Sequence, residues 1–318
     1  MLYLTESDVR ELIDMPAAIA VVEDAFRRLA DGRAVNVPRQ RAVGAGIVVH
    51  TMSAAADYLG FAGWKCYATT KRGARFLVGL YDVATSEPAA LIEADLLGQL
   101  RTGATTGVAA RRLAADDADR LGLFGSGLQA RTQLAAVAAV RPIRSVAIFS
   151  RDPERRRRFA SAASAELGID CFAVDRPDEA VRNLPLVITA TTSRTPVFDG
   201  RDVAPGALVC AVGSNWLNKA EIDATTVGRA ARVVCDDVAA CRHEAGDLAA
   251  AADVGAFDWS QAVALADVVA GKTPGRRAAD DLLVFKSVGL AVEDVALGVE
   301  VLRRAQTRGL GREIANPA

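Results

Sequence analysis

The stretch Leu121-Gly122-Leu123-Phe124-Gly125-Ser126-Gly127-Leu128-Gln129-Ala130 runs from an apolar strand through two glycines into a helix with an apolar period. That is the shape of a dinucleotide site. Glycines let the chain turn tightly and bring backbone close to a pyrophosphate, whose charge then lies against the free N–H groups and positive end of the helix. Ala130 stands at the third glycine position, a replacement the fingerprint permits. Tight strand-to-helix turns also occur in α/β proteins that bind no nucleotide, so the flanking segments decide what the turn means.

Outward from this turn, a second strand is predicted over 146–149, a helix over 153–167 and a third strand over 186–190, a βαβαβ series at the expected spacing. Further strands follow at 208–212 and 233–235, with two short helices between them. Upstream, Pro16 opens a helix whose period Ile19, Val22, Ala25, Phe26, Leu29 ends at Gly32. Strands over 47–50, 63–67, 76–81 and 88–92 then read as a sheet of hairpins, and a helix over 95–113 leads out of it. The tail over 287–308 has an apolar face of Leu290, Val292, Val295, Leu297, Val301 and Leu302, expected to pack back on the N-terminal part. The fold class is therefore α/β. A Rossmann doubly wound parallel sheet, residues 114–286, is inserted in a second, α+β domain of residues 1–113 and 287–318. The short polar junction at 114–119 predicts a rigid pair with a cleft between.

Composition supports this and excludes other classes. A chain of 318 residues that is 51% hydrophobic buries a core large enough for two domains. A net charge of −1 gives no pull toward nucleic acid or an anionic membrane surface. No apolar run approaches the roughly 18 residues of a membrane span, and residues 1–8 are acidic where a signal peptide is basic, so a cytoplasmic protein is expected. The five cysteines include no C-x-x-C pair and read as buried reduced thiols. Only two histidines are present. No metal site is expected, a His-based triad is disfavoured, and proton transfer falls to lysine or carboxylates.

Lys65, in the apolar segment Gly63-Trp64-Lys65-Cys66-Tyr67, is either an edge-strand lysine reaching water or a cleft lysine whose lowered pKa suits acid–base work on a carbonyl or imine. Arg101, followed by Thr102, can grip a carboxylate or phosphate with its two-pronged fork, or simply lie on the surface. Arg39 and Arg41 supply a second cationic point just before the first strand. After the second strand, Ser150-Arg151 stands where NAD-binding proteins place an acidic residue; that favours NADP, with NAD possible. Arg155 to Arg158 read as a mostly solvated helix face, the first of them adding to that field. His50, Met52 and Trp216 are candidate cleft-lining residues, each equally a core residue.

Taken together, Pro38-Arg39, Gly63-Trp64-Lys65, Leu100-Arg101-Thr102-Gly103-Ala104, Gly125-Ser126-Gly127-Leu128-Gln129-Ala130, Ala190-Thr191-Thr192 and Phe285-Lys286-Ser287-Val288-Gly289-Leu290-Ala291-Val292-Glu293-Asp294 resemble the ornithine cyclodeaminase and mu-crystallin family over nearly the whole chain. The resemblance implies a homodimer, an N-terminal substrate and dimerisation domain completed by the C-terminal helix, and amino-acid chemistry through an imine. It implies that Arg39 and Arg101 bind the substrate carboxylate, that Lys65 is the catalytic group at the reacting nitrogen or oxygen, and that Asn215 faces the substrate. Cofactor contacts are implied at Thr102, Gly125, Ser126, Gly127, Leu128, Gln129, Ser150, Arg151, Ala190, Thr191, Thr192, Val212 and Gly213.

Cyclodeaminases of this family carry an aspartate where this chain has Asn215, in Val212-Gly213-Ser214-Asn215. An amide orients a substrate but cannot titrate. The expected function is therefore NAD(P)H-dependent reduction of an imino or keto acid to an amino acid or cyclic imino acid. The alternatives are an ornithine cyclodeaminase with retained NAD, in which Asp223 or Glu221 replaces the missing carboxylate, and a non-catalytic NADPH-dependent binder of small molecules like mu-crystallin.

Overall fold

The computed structural model describes residues 1–315. The chain forms two compact units, Met1–Thr102 with the segment from Gly289 onward, and Gly103–Val288.

The first unit opens with β1 (Leu2–Leu4), α1 (Glu6–Leu12) and α2 (Met15–Ala30). Asp14 caps α2 by accepting from the Ala17 N–H, and Ala18, Ile19, Val22, Ala25 and Phe26 form its buried stripe. β2 (Val35–Gly44), β3 (Ile47–Ala56), β4 (Phe61–Thr70), β5 (Gly73–Asp82) and β6 (Pro88–Glu93) form an antiparallel meander, with β2 at one edge. The sequence reading placed Arg39 and Arg41 before the first strand; both lie inside β2. Its register with β3 shifts between Val37 and Gln40, a bulge that holds Pro38. Proline has no N–H to give a ladder, so it sits at an edge-strand irregularity, and its presence among polar residues hid the strand.

α3 (Asp95–Leu113) leaves this sheet and crosses the unit boundary at Thr102/Gly103. After the second unit the chain returns as α10 (Ala291–Arg308), which packs on α2 and on one face of β3, β4 and β5. Leu290, Val292, Val295, Leu297, Val301 and Leu302 are all buried. Two glycines permit this approach: a Cβ on Gly63 would lie 3.1 Å from the Val295 methyl, and one on Gly298 would lie 3.3 Å from Ile92.

The second unit holds β7 (Arg120–Phe124), α4 (Leu128–Ala138), β8 (Ser145–Phe149), α5 (Pro153–Leu167), β9 (Asp170–Ala173), β10 (Leu186–Thr189), β11 (Leu208–Ala211), α6 (Ala224–Gly228), β12 (Arg232–Cys235), α7 (Val238–Glu244), α8 (Gly246–Asp253), β13 (Val263–Ala264), α9 (Leu265–Val269) and β14 (Leu283–Lys286). Its strands are all parallel, in the order β13-β12-β14-β11-β10-β7-β8-β9. The run β9-β8-β7-β10-β11 has the 3-2-1-4-5 order of a Rossmann sheet, and its direction reverses between β7 and β10, where such sheets bind ligands. Three strands of this unit, β9, β13 and β14, escape the sequence reading: β9 has alternate residues exposed or half-buried and shows no apolar run, β13 has only two residues, and the apolar run of β14 continues into the segment read as the C-terminal helix. The segment 186–189 is thus the fourth strand of the unit, not the third. One short helix, α6, and not two, separates β11 from β12.

Among the described residues no helix is long and apolar enough to cross a membrane. Cys66, Cys171, Cys210, Cys235 and Cys241 are free thiols, all but Cys66 buried.

Candidate active site

At the C-terminal ends of β7, β8 and β10 the second unit opens into a cavity of about 270 Å³. Gly125, Ser126, Gly127, Ser150, Arg151, Ala190, Thr191 and Thr192 line it, which unites eight of the sequence-predicted cofactor residues. Gly125 has φ +119°, and a Cβ there would collide with the Ala190 carbonyl oxygen, so only glycine makes this turn. Gly127 caps α4 with no side-chain cap, its Cα faces open space, and the first N–H groups of the helix have no intrahelical partner. A cradle that a Cβ would fill, set at a helix N-terminus, fits a pyrophosphate. Across the cavity, Ser126 donates to Ser150 Oγ at 3.1 Å.

The arginine run on α5 is a solvated face at Arg155, Arg157 and Arg158, and departs from it at Arg156. Arg155 lines the cavity. Arg156 is buried; it donates to the Ser150 carbonyl oxygen at 3.0 Å, pairs with Asp175 and lies over the Phe149 ring. The Ser150-Arg151 turn is therefore held from beneath by an arginine that the sequence reading left in solvent. Leu128 is 66% exposed and lines a neighbouring groove between α4 and α5 instead of this cavity. Gln129 follows it on the first turn of α4.

The first unit concentrates buried charge. Lys65 on β4 donates from Nζ to Asp294 Oδ1 at 2.8 Å. Arg101 on α3 donates from Nε to the same oxygen at 3.2 Å and from Nη1 to Glu293 Oε2 at 2.9 Å. All four side chains are buried, Asp294 and Glu293 completely. The space is made by glycines: a Cβ on Gly98 would lie 3.2 Å from Lys65 Nζ, and Gly289, at φ +85°, abuts the Arg101 guanidinium. Burial, helped by the Arg101 and Arg39 charges, lowers the Lys65 pKa and Asp294 pulls it back up, which leaves it at about 8. For Arg101, burial opposes the charge, yet Asp294 and Glu293 outweigh it and raise the pKa. Asp294 Oδ2 is buried and has no hydrogen-bond partner among the described residues. Arg39 is buried. His50, buried and stacked on Tyr67 at 4.1 Å, is driven to about 4 by burial and by Arg41 and Arg39, so it is neutral at neutral pH.

The residues are present from nearly end to end for one assignment, and a profile match over residues 1–308 decides it. The chain belongs to the ornithine cyclodeaminase/mu-crystallin family. This family member is 30% identical over 324 residues to a Delta(1)-pyrroline-2-carboxylate reductase of Bacillus cereus, covering 99% of each chain. It superposes with TM-score 0.94 and 31% identity on the Delta(1)-pyrroline-2-carboxylate reductase of Thermococcus litoralis in complex with NADH and L-proline, over 99% of this chain and 100% of that one. An archaeal alanine dehydrogenase dimer with bound NAD matches with TM-score 0.94 and 29% identity, over 99% of each chain.

Sequence reasoning gives Glu293 and Asp294 no role of their own; the signal available is a pair of adjacent acids among the apolar residues of 290–299. The two carboxylates considered as substitutes for the aspartate absent at Asn215 are both committed elsewhere. Asp223 caps α6 by accepting from Thr226 N–H and also accepts from Gly200 N–H. Glu221 accepts from Thr189, Thr191 and Gly213. Asn215 itself is half-buried in the loop after β11, next to Val212 and Gly213. Thr102 Oγ1 donates within α3 to the Gly98 carbonyl at 2.7 Å.

Proposed function

We propose that the protein is an oxidoreductase that reduces a small imino acid to an amino acid, with a cyclic ketimine such as pyrroline-2-carboxylate as the leading substrate type. The observation that carries this reading is the buried Lys65–Asp294–Arg101 cluster. A buried carboxylate oxygen without a donor costs about 1–3 kcal/mol, and Asp294 Oδ2 is such an oxygen. An imine or amine nitrogen bearing a proton satisfies it. Arg39 and Arg101 hold the substrate carboxylate, Arg101 with its guanidinium plane fixed by Glu293 and Asp294. Lys65 moves the proton at the imine nitrogen, and Asn215 orients the substrate without titrating.

The Gly125–Gly127 cradle holds the pyrophosphate of a nicotinamide dinucleotide, with Thr102, Gln129, Val212 and Gly213 as further contacts. When bound, the nicotinamide supplies hydride. Ser150 and Arg151, with Arg155 on the same cavity wall, favour the 2′-phosphate of NADP over NAD. The protein works as a homodimer through the N-terminal unit, and its free thiols fit a reducing, cytoplasmic compartment.

Oxidation of NADPH and of NADH, followed by absorbance, tests the reading with pyrroline-2-carboxylate, pyruvate plus ammonia, and glyoxylate plus methylamine. The expected result is turnover with at least one imine source and a lower KM for NADPH. Proline formed from ornithine with NAD, without imine reduction, overturns it in favour of a cyclodeaminase; dinucleotide binding with no turnover on any imine overturns it in favour of a binding protein.

A further inference from the structure

A second buried charge cluster lies wholly in the Rossmann unit and has no part in the chemistry above. Glu221, Asp247 and Lys286 are each completely buried. Lys286 is the last residue of β14 and donates from Nζ to the Ser214 carbonyl at 2.9 Å while pairing with Asp247 Oδ2 at 2.6 Å. Asp247, on the first turn of α8, accepts through Oδ1 from the Glu221 and Ile222 N–H groups. Glu221 then spends both oxygens on strand ends. Oε1 accepts from Thr191 N–H and Thr191 Oγ1, each at 2.7 Å; Oε2 accepts from Thr189 Oγ1 at 3.0 Å and Gly213 N–H at 2.6 Å.

Four donors converge on one carboxylate, and they come from the ends of β10 and β11. Through Asp247 and Lys286 the same chain of contacts reaches the end of β14 and the loop that carries Asn215. Burial opposes the Lys286 charge, and Asp247 and Glu221 more than offset it, so its pKa stands above that of an ordinary lysine. Gly213 is small for the same reason: a Cβ would strike Glu221 Oε1 and the Thr191 backbone. A packed apolar group would cap these strands at lower desolvation cost, so three buried charges in one contact chain point to a demand for fixed loop spacing.

We propose that Glu221, braced by Asp247 and Lys286, is a positioning residue that sets the spacing of the Thr191 and Gly213 loops for the nicotinamide half of the dinucleotide. The half follows from the far end of the brace. Thr191 lines the cavity that also holds Ser150 and Arg151 on the β8 side of the switch point, which takes the adenosine half, whereas Gly213, β11 and β14 lie beyond that cavity on the side away from β8. The inference rests on the dinucleotide reading given above.

The test compares NADPH and 2′,5′-ADP binding, by fluorescence and calorimetry, in wild-type protein and in Glu221→Gln. An amide keeps one acceptor but turns an NH2 group toward two donors. The expected result is a Kd for NADPH raised at least about tenfold, with the Kd for 2′,5′-ADP within about twofold of wild type. Equal weakening of both ligands overturns the proposal, since general loosening of the unit does that; so does an unchanged NADPH affinity. Should Glu221→Gln fail to fold, the double variant Asp247→Asn, Lys286→Met removes both members of the ion pair while keeping an acceptor for the Glu221 and Ile222 N–H groups, and the same split is required of it. Wild-type protein that binds 2′,5′-ADP but neither NADPH nor NADH overturns the proposal while sparing the adenosine site; binding of none of the three overturns the dinucleotide reading itself.

Discussion

Lys65 carries the sharpest pH dependence that the structure implies. In the role proposed for Lys65, reduction takes a proton from its ammonium, so with a pKa of about 8 the reductive rate is expected to be full below that pH and to fall as pH rises through it. Amino-acid oxidation needs the neutral amine and runs the opposite way. Asp294 is the anion that raises this pKa. In Asp294→Asn the reductive limb of kcat/KM therefore moves about one to two pH units lower, and a limb that stays in place shows that Lys65 is not the titrating group. Lys65→Met lowers turnover by about 10²–10⁴ with dinucleotide Kd nearly unchanged; comparable turnover in that variant refutes the assignment. The lysine was visible in the sequence because a charge on an apolar strand is conspicuous. Its partner was not, since Asp294 lies 229 residues further along, and only the packing of α10 on β4 joins them.

At the scale of the element, the turn between β7 and α4 separates what the fold needs from what the ligand needs. Gly125 sits at φ +119° with the Ala190 carbonyl where a Cβ would go. Gly125→Ala is thus expected to cost about 1–3 kcal/mol of stability as well as dinucleotide affinity. Gly127 has φ −102° and nothing within 4 Å. Gly127→Ala leaves the apo protein's melting within about 0.5 kcal/mol of wild type but places a methyl where the pyrophosphate approaches, so affinity alone falls. Thermal melts and titrations of the pair check this; a Gly127→Ala protein that binds NADPH like wild type moves the phosphate away from this turn. Two helices with a long period, α3 and α5, were readable to the residue, while the strands of the first sheet run beyond the segments read for them. β2, β9 and β14 were not readable: β2 is broken by Pro38 at a bulge, β9 mixes exposed with buried positions, and β14 runs straight into the segment before α10, so their strand identity comes from neighbours in the sheet and not from local pattern.

On the scale of the whole molecule, the first unit has a sheet with two apolar faces and only one helix layer. α10 covers one face, with α2 packed on α10. On the other, the register aligns Val35, Ala55, Ala62 and Tyr81 in one row and Val37, Ser53, Trp64 and Gly79 in the next, with Cys66 beside Leu77. The Trp64 indole lies flat against Gly79, while Val35, Val37 and Tyr81 are 56%, 43% and 41% exposed. An antiparallel sheet that faces water alternates apolar with polar residues, and this face does not. A second copy of the chain is the occupant that the family resemblance implied, and a stable pairing needs a patch burying more than about 1,000 Å² in total. Wild-type protein is therefore expected to run as a dimer in light scattering at micromolar concentration. Val37→Glu with Leu77→Glu places charge on two neighbouring strands of the patch and is expected to halve the mass while leaving the Rossmann unit's 2′,5′-ADP affinity intact. A wild-type monomer, or a double variant that remains dimeric, would place the subunit contact elsewhere on the chain.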